Sequence, residues 1–94
     1  MIKRVAMWRL KDKSQAHEMK EKLQSLEENV PSIHHLEVGI NQSDSAKAFD
    51  IVFIATFENQ DALHEFENDS FHQSISSWVS SAREIRHFVD FETE

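Results

Sequence analysis

An α+β fold of the order β-α-β-β-α-β is predicted, with one antiparallel four-stranded sheet carrying both helical layers on a single face. Three observations predict it. Ala16, Met19, Leu23, Leu26 and Val30 recur at three- and four-residue steps. Residues 33–41 and 82–92 alternate apolar and polar at strand period. Between them lies an apolar run, residues 49–57, in which Ile51, Val52, Phe53, Ile54 and Ala55 leave no polar residue on either face.

Taken in order, residues 2–10 form the first strand, with Ile2, Val5, Ala6, Met7, Trp8 and Leu10 crowded together. Ser14 is positioned to cap the first helix, whose other face carries Glu18, Glu21, Lys22, Glu27 and Glu28 as a solvated surface. Pro31 stops that helix, because proline disfavours helical backbone in the residue before it. In the second strand His34, Leu36, Val38 and Ile40 are expected on one side, and Ile33, His35, Glu37, Gly39 and Asn41 on the other. Residues 41–47, rich in Ser, Asp and Asn, form a loop before the third strand, residues 49–57. Asn59 caps a short helix presenting Ala62, Leu63 and Phe66. Ser70 with Gln73 resembles a capping box for another, presenting Phe71, Ile75 and Trp78. In the last strand Ile85, His87, Val89 and Phe91 alternate with Glu84, Arg86, Phe88 and Asp90.

The chain of 94 residues has room for one hydrophobic core, so residues 1–94 are expected to form one domain. Gly39 is the one glycine, which excludes glycine-rich phosphate loops, the dinucleotide fingerprint and the hydrolase nucleophile elbow. With no cysteine there is no disulfide, thiolate catalysis or zinc knuckle, and a metal site would have to use His and carboxylates. His34 and His35 point to opposite faces of a strand, and His64-Glu65 lacks the second His of a zinc-protease helix, so no metal and no cofactor are assigned. The net charge of −7, from 17 acidic and 10 basic residues, repels nucleic-acid backbones and anionic lipids. Neither nucleic acid nor membrane is an expected partner. No N-terminal segment has the apolar run of a signal peptide, and a cytoplasmic location is expected. Ser76, Ser77, Ser80 and Ser81 form no recognisable triad with His and Asp.

Two helical layers cover only one face of such a sheet, yet Val5, Met7, Val52, Ile54, Ile85 and Val89 add apolar surface to the other. Large exposed apolar patches are rare on soluble monomers and mark interaction surfaces. The expected cover is a second copy of the chain, sheet against sheet, with an interface on the order of 2,000 Å². The competing expectation is that the loop at 41–47 or the C-terminal tail folds over the face.

Several segments, in their order and spacing, resemble the stress-responsive dimeric α/β-barrel (Dabb) family. They are Met1-Ile2-Lys3-Arg4-Val5, Leu36-Glu37-Val38-Gly39, Phe49-Asp50-Ile51-Val52 with Thr56-Phe57-Glu58, and Phe88-Val89-Asp90-Phe91. The resemblance spans nearly the whole chain. It implies a ferredoxin-like subunit that pairs into a dimeric α+β barrel, in a family whose members mostly lack an assigned reaction. One plant member is a polyketide cyclase using a Tyr and His pair in a pocket between sheet and helices. His72 resembles the second His of the family's His-Pro-x-His motif, where Asp69 and Ser70 replace the first His and the Pro. Phe66 stands at the cyclase's Tyr position, Arg4 replaces the first-strand His, and the chain has no Tyr, so the cyclase mechanism finds no support.

The family geometry places Arg4 and Trp8 on the helix-facing side, and implies that His34, Arg86 and His72 converge near them beside Phe53, Phe66 and Phe88. Such a cluster suits a small carboxylate or enolate with an apolar body, held by bidentate arginine, with His72 as general base. The alternative is that Arg4 and Arg86 pair with Glu84 and Asp90 on neighbouring strands. The expected function is therefore a homodimer binding a small hydrophobic acid between sheet and helices. The enzymatic alternative is a cofactor-independent lyase, cyclase or small monooxygenase using His72.

Overall fold

In the computed structural model, which describes residues 1–93, the elements follow the expected order. They are β1 (Ile2–Leu10), a 3-10 turn (Lys13–Gln15), α1 (Ala16–Asn29), β2 (Ile33–Ile40), β3 (Ile51–Phe57), α2 (Gln60–Asn68), α3 (Ser70–Ala82) and β4 (Arg83–Glu92). The sheet order is β2-β3-β1-β4, and every adjacent pair is antiparallel. Val5 faces Ile54 on one side and Val89 on the other, while Trp8 faces Ile51 and Arg86.

The expected apolar stripe of α1 is buried throughout: Ala16, Met19, Leu23 and Leu26, with Val30 just beyond the helix. Those side chains join Ala6, Trp8, Leu10, Leu36, Val38, Ile51, Phe53, Ala55 and Phe57 from the sheet, and Leu63, Phe66, Ile75 and Val79 from α2 and α3. All the helices therefore lie on one side. Among the described residues no helix is long and apolar enough to cross a membrane.

Two caps differ from expectation. Asp12, not Ser14, opens the first helical segment by accepting from the Ser14 backbone N–H at 2.9 Å. Asp69, not Ser70, caps α3, accepting from the N–H groups of Phe71 and His72 at 2.8 and 3.1 Å. In each case a carboxylate one or two residues upstream reaches the free N–H groups and fits the favourable charge at a helix start. Asn59 caps α2 as expected.

β3 begins at Ile51 rather than Phe49, because Asp50 turns inward and accepts the Leu10 N–H at 2.8 Å. The loop before it sends Phe49 onto one end of the open sheet face, 5.7 Å from His87 and 4.9 Å from the Arg9 guanidinium. The rest of that face stays uncovered by the loop. Val5, Val52, Ile54 and Ile85 are half-buried there, while Met7 is 41% and Val89 55% exposed.

Two register shifts alter which side chains share a face. Between Ile33 and His35 the β2–β3 pairing skips His34, so Ile33 and Leu36 both point to the helices and His34 is exposed. The expected placement of His34 beside Leu36 is thus corrected: the irregularity at that residue breaks the two-residue period on which it rested. A second shift between Arg9 and Leu10 sets Leu10 opposite Arg83 and leaves Glu84 exposed.

Candidate functional site: an arginine-lined cavity

Between the sheet and the helices lies a cavity of about 330 Å³. Its floor is Ala6, Trp8 and Phe53 from the two central strands, and α1 and α3 contribute Leu23, Leu26, Ile75 and Val79. An aromatic chain runs along one wall. Trp8 meets Phe53 edge-on at 6.0 Å, Phe53 stacks with Phe66 at 6.2 Å, and Phe66 stacks with the His72 ring at 4.1 Å.

Three arginines, Arg4, Arg83 and Arg86, line the same space. Arg4 is only 6% exposed and is gripped by Asp90, its Nε and Nη2 donating to the two carboxylate oxygens at 2.7 and 2.9 Å. Nη2 also donates to Glu67 at 3.1 Å. These bonds, that to Asp90 foremost, hold the Arg4 pKa above its ordinary value despite burial. Arg86 differs: among the described residues neither it nor Arg83 makes a salt bridge or side-chain hydrogen bond. Burial pushes the Arg86 pKa down, and the positive charges of Arg4 and Arg83 push it further against the smaller opposing influence of Asp90 and Glu67, yet a guanidinium stays charged at neutral pH. The rings offer partial compensation. Arg86 lies 4.4 Å from the Phe88 centroid and 5.9 Å from that of Trp8, and Arg4 lies 4.6 Å from Phe88.

His72 sits in the first turn of α3, its backbone N–H fixed by Asp69 and its ring by Phe66. Its Nδ1 is buried without a hydrogen-bond partner. Burial lowers its pKa, the nearby Arg4 charge adds to that, and the carbonyls of Phe66 and Glu67 oppose it. The imidazole is therefore held neutral below the pH at which an unfolded histidine, with a pKa of about 6.5, would protonate. A depressed folded value means that the unfolded chain takes up the proton first. This contribution to stability is complete above about pH 6.5 and is lost as pH falls from there through the folded value. Urea denaturation of the wild type should accordingly lose more stability between pH 7 and pH 5 than that of His72→Gln; equal losses would mean that His72 is not the group responsible.

Of the residues expected at the site, Arg4, Trp8, Phe53, Phe66, His72 and Arg86 all line the cavity, as does Phe88. His34 does not, since β2 is the far edge strand and its shift turns this side chain out to solvent. The alternative pairing holds in part: Arg4 binds Asp90, but Glu84 is exposed and Arg86 is left unpaired. Two charged lining residues, Arg83 and Glu67, were not expected. Strict alternation from Arg86 puts Arg83 on the open face, and only the shift at Leu10 returns it to the cavity. Glu67 carries no local sign at all, because its partner lies 63 positions away. Among the described residues no group of three or more His, Asp or Glu gathers within reach of one ion.

A four-stranded antiparallel sheet with all its helices on one side and a polar-mouthed cavity between the layers is a ferredoxin-like α+β fold. Similar solved structures include a dimeric ferredoxin-like protein of unknown function from Bacteroides fragilis, 22% identical, with 98% of this chain and 95% of that one aligned at a TM-score of 0.86. A hydroxynitrile lyase from Passiflora edulis is 14% identical over 99% and 93% of the two chains, at 0.85. An antibiotic biosynthesis monooxygenase is 14% identical over 100% and 99%, at 0.80. None of the curated proteins matches the chain. The chain belongs to the stress responsive A/B barrel domain (Dabb) family, whose pattern matches residues 2–93.

Proposed function

We propose that the protein is a homodimer, closed sheet against sheet, whose subunit cavity binds a small carboxylic acid with an apolar body. The observation that carries the ligand class is the pair of arginines, Arg83 and Arg86, that make no salt bridge among the described residues and share the cavity wall with Trp8, Phe53 and Phe66. A half-buried cation whose nearest acids, Asp90 and Glu67, are bonded to Arg4 is costly, and a carboxylate entering the cavity supplies a charge of its own while its body covers the rings. Among the six residues expected to bind ligand, Arg86 anchors the carboxylate and Trp8, Phe53 and Phe66 hold the body. Arg4 is committed to Asp90, and His34 takes no part. The dimer rests on the uncovered apolar face around Val5, Ile54 and Val89, and on the family, one of whose structural relatives is described as dimeric.

Thermal unfolding in the presence of benzoate, phenylacetate or hexanoate tests the ligand class. Millimolar acid, if about 100 times its Kd, stabilises the native state by about 2.7 kcal/mol, a shift of several degrees for a domain of this size. Arg86→Gln should abolish the shift. The reading falls if no acid moves the wild-type transition, or if Arg86→Gln responds as the wild type does.

A second reading is favoured by His72, whose neutral, aromatic-stacked imidazole suits a general base at neutral pH. It makes the protein a cofactor-independent lyase, cyclase or small monooxygenase acting on an acidic C–H or O–H next to a carbonyl or nitrile. The hydroxynitrile lyase and monooxygenase relatives are compatible with that chemistry. Under this reading His72→Ala abolishes turnover of a bound compound while leaving the thermal shift it produces in place.

A further inference from the structure

Glu67 is a second carboxylate on a guanidinium that already has one. Arg4 is matched by Asp90 through two parallel bonds of 2.7 and 2.9 Å, and Glu67 adds a third contact of 3.1 Å from across the cavity. Its position is otherwise unfavourable. It occupies the last turn of α2, where the helix dipole disfavours negative charge, and its side chain is 41% exposed. Among the described residues the Glu67 side chain has no other partner, and it lines the cavity alongside Arg83 and Arg86. It is the one acidic side chain on that lining.

Given the carboxylic-acid reading above, we infer that Glu67 is a specificity-determining gate: its carboxylate, bonded to Arg4 on the cavity wall, offsets the charge of the arginine cluster while no ligand is present, and an acid anchoring on Arg86 displaces it toward solvent. The displacement needs no backbone movement, because the side chain is already part-exposed and no other side chain holds it. An acid must therefore compete with Glu67 for the arginine field, whereas a neutral molecule of the same shape need not. The charge selects against weakly anchored anions and does not discriminate among uncharged ligands.

Calorimetric titration of benzoate and of uncharged benzamide into wild type, Glu67→Gln and Arg86→Gln tests the gate. Exposed ion pairs are weak, so Glu67→Gln should raise benzoate affinity about three- to five-fold and leave benzamide unchanged. If the wild type binds benzoate, Arg86→Gln does not, and Glu67→Gln binds it no tighter than wild type, the gate is overturned while the cavity reading stands. An equal gain for benzamide also overturns it, since the effect would then be one of space rather than charge. If neither wild type nor Glu67→Gln binds benzoate, both the gate and the cavity reading fail. Glu67 is a surface side chain, and a melting temperature within a few degrees of wild type confirms that the variant is folded.

Discussion

Val5→Lys is expected to reduce the protein in solution from a dimer to a folded monomer of about 11.0 kDa. Val5 lies on the central strand β1, between Ile54 of β3 and Val89 of β4, at the middle of the face that the helices leave open. In a monomer a lysine there stands in water at little cost. In a sheet-to-sheet dimer two such ammonium groups, one from each subunit, enter an apolar interface in which the acid of the same cross-strand row, Glu37, stands beyond Ile54 on the edge strand β2. Burying an unpaired charge costs about 3–5 kcal/mol, which weakens association by two to three orders of magnitude or more. Sedimentation equilibrium at micromolar concentration, with circular dichroism to verify the fold, reads both outcomes. A wild type that is itself monomeric, or a Val5→Lys variant that remains dimeric, would remove the proposed interface.

Phe57→Ala is expected to destabilise each subunit by about 3–5 kcal/mol. Phe57 is fully buried at the end of β3, packs 5.3 Å from Phe66, and pairs with Ile2 on one side and Ile33 on the other. Removing its ring leaves a void among side chains from three strands and α2, which no single neighbour can fill. Domains of this size are typically stable by about 5–15 kcal/mol, so the loss consumes a large share. Urea titration must be run at one fixed protein concentration, because association and folding are linked. A loss below about 1.5 kcal/mol would show that the surrounding side chains close the void and that this part of the core is soft. The same variant should leave the order of acid affinities unchanged, since Phe57 does not line the cavity.

Both predictions draw on features that were legible in the amino-acid order. The strand spanning Ile2–Leu10 and the stripe of α1 follow local periods of two and 3.6, and both faces of β3 are apolar as the unbroken run from Ile51 to Ala55 requires. The uncovered apolar face followed by counting faces against helices. Seven of the eight residues expected at the site do line the cavity: strand parity carries Arg4 and Trp8 on β1, Phe53 on β3 and Arg86 and Phe88 on β4, while Phe66 and His72 come from α2 and α3 above them. The exceptions have a common cause. At His34, and again between Arg83 and Arg86, a register shift changes the parity of the strand, turning one expected residue out and bringing an unexpected one in.

The linear pattern determined the elements, their order, the faces they bury and the need for a cover on the open side, since each depends on residues within a turn or a few strand positions of one another. Tertiary structure alone decided which cations remain free. Arg4 finds Asp90 and Glu67 from 86 and 63 positions away, while among the described residues Arg83 and Arg86 form no salt bridge. Charge pairing across a sheet is set by register and by the layer packed above it, and a single shifted residue reverses it without leaving a mark in the local sequence.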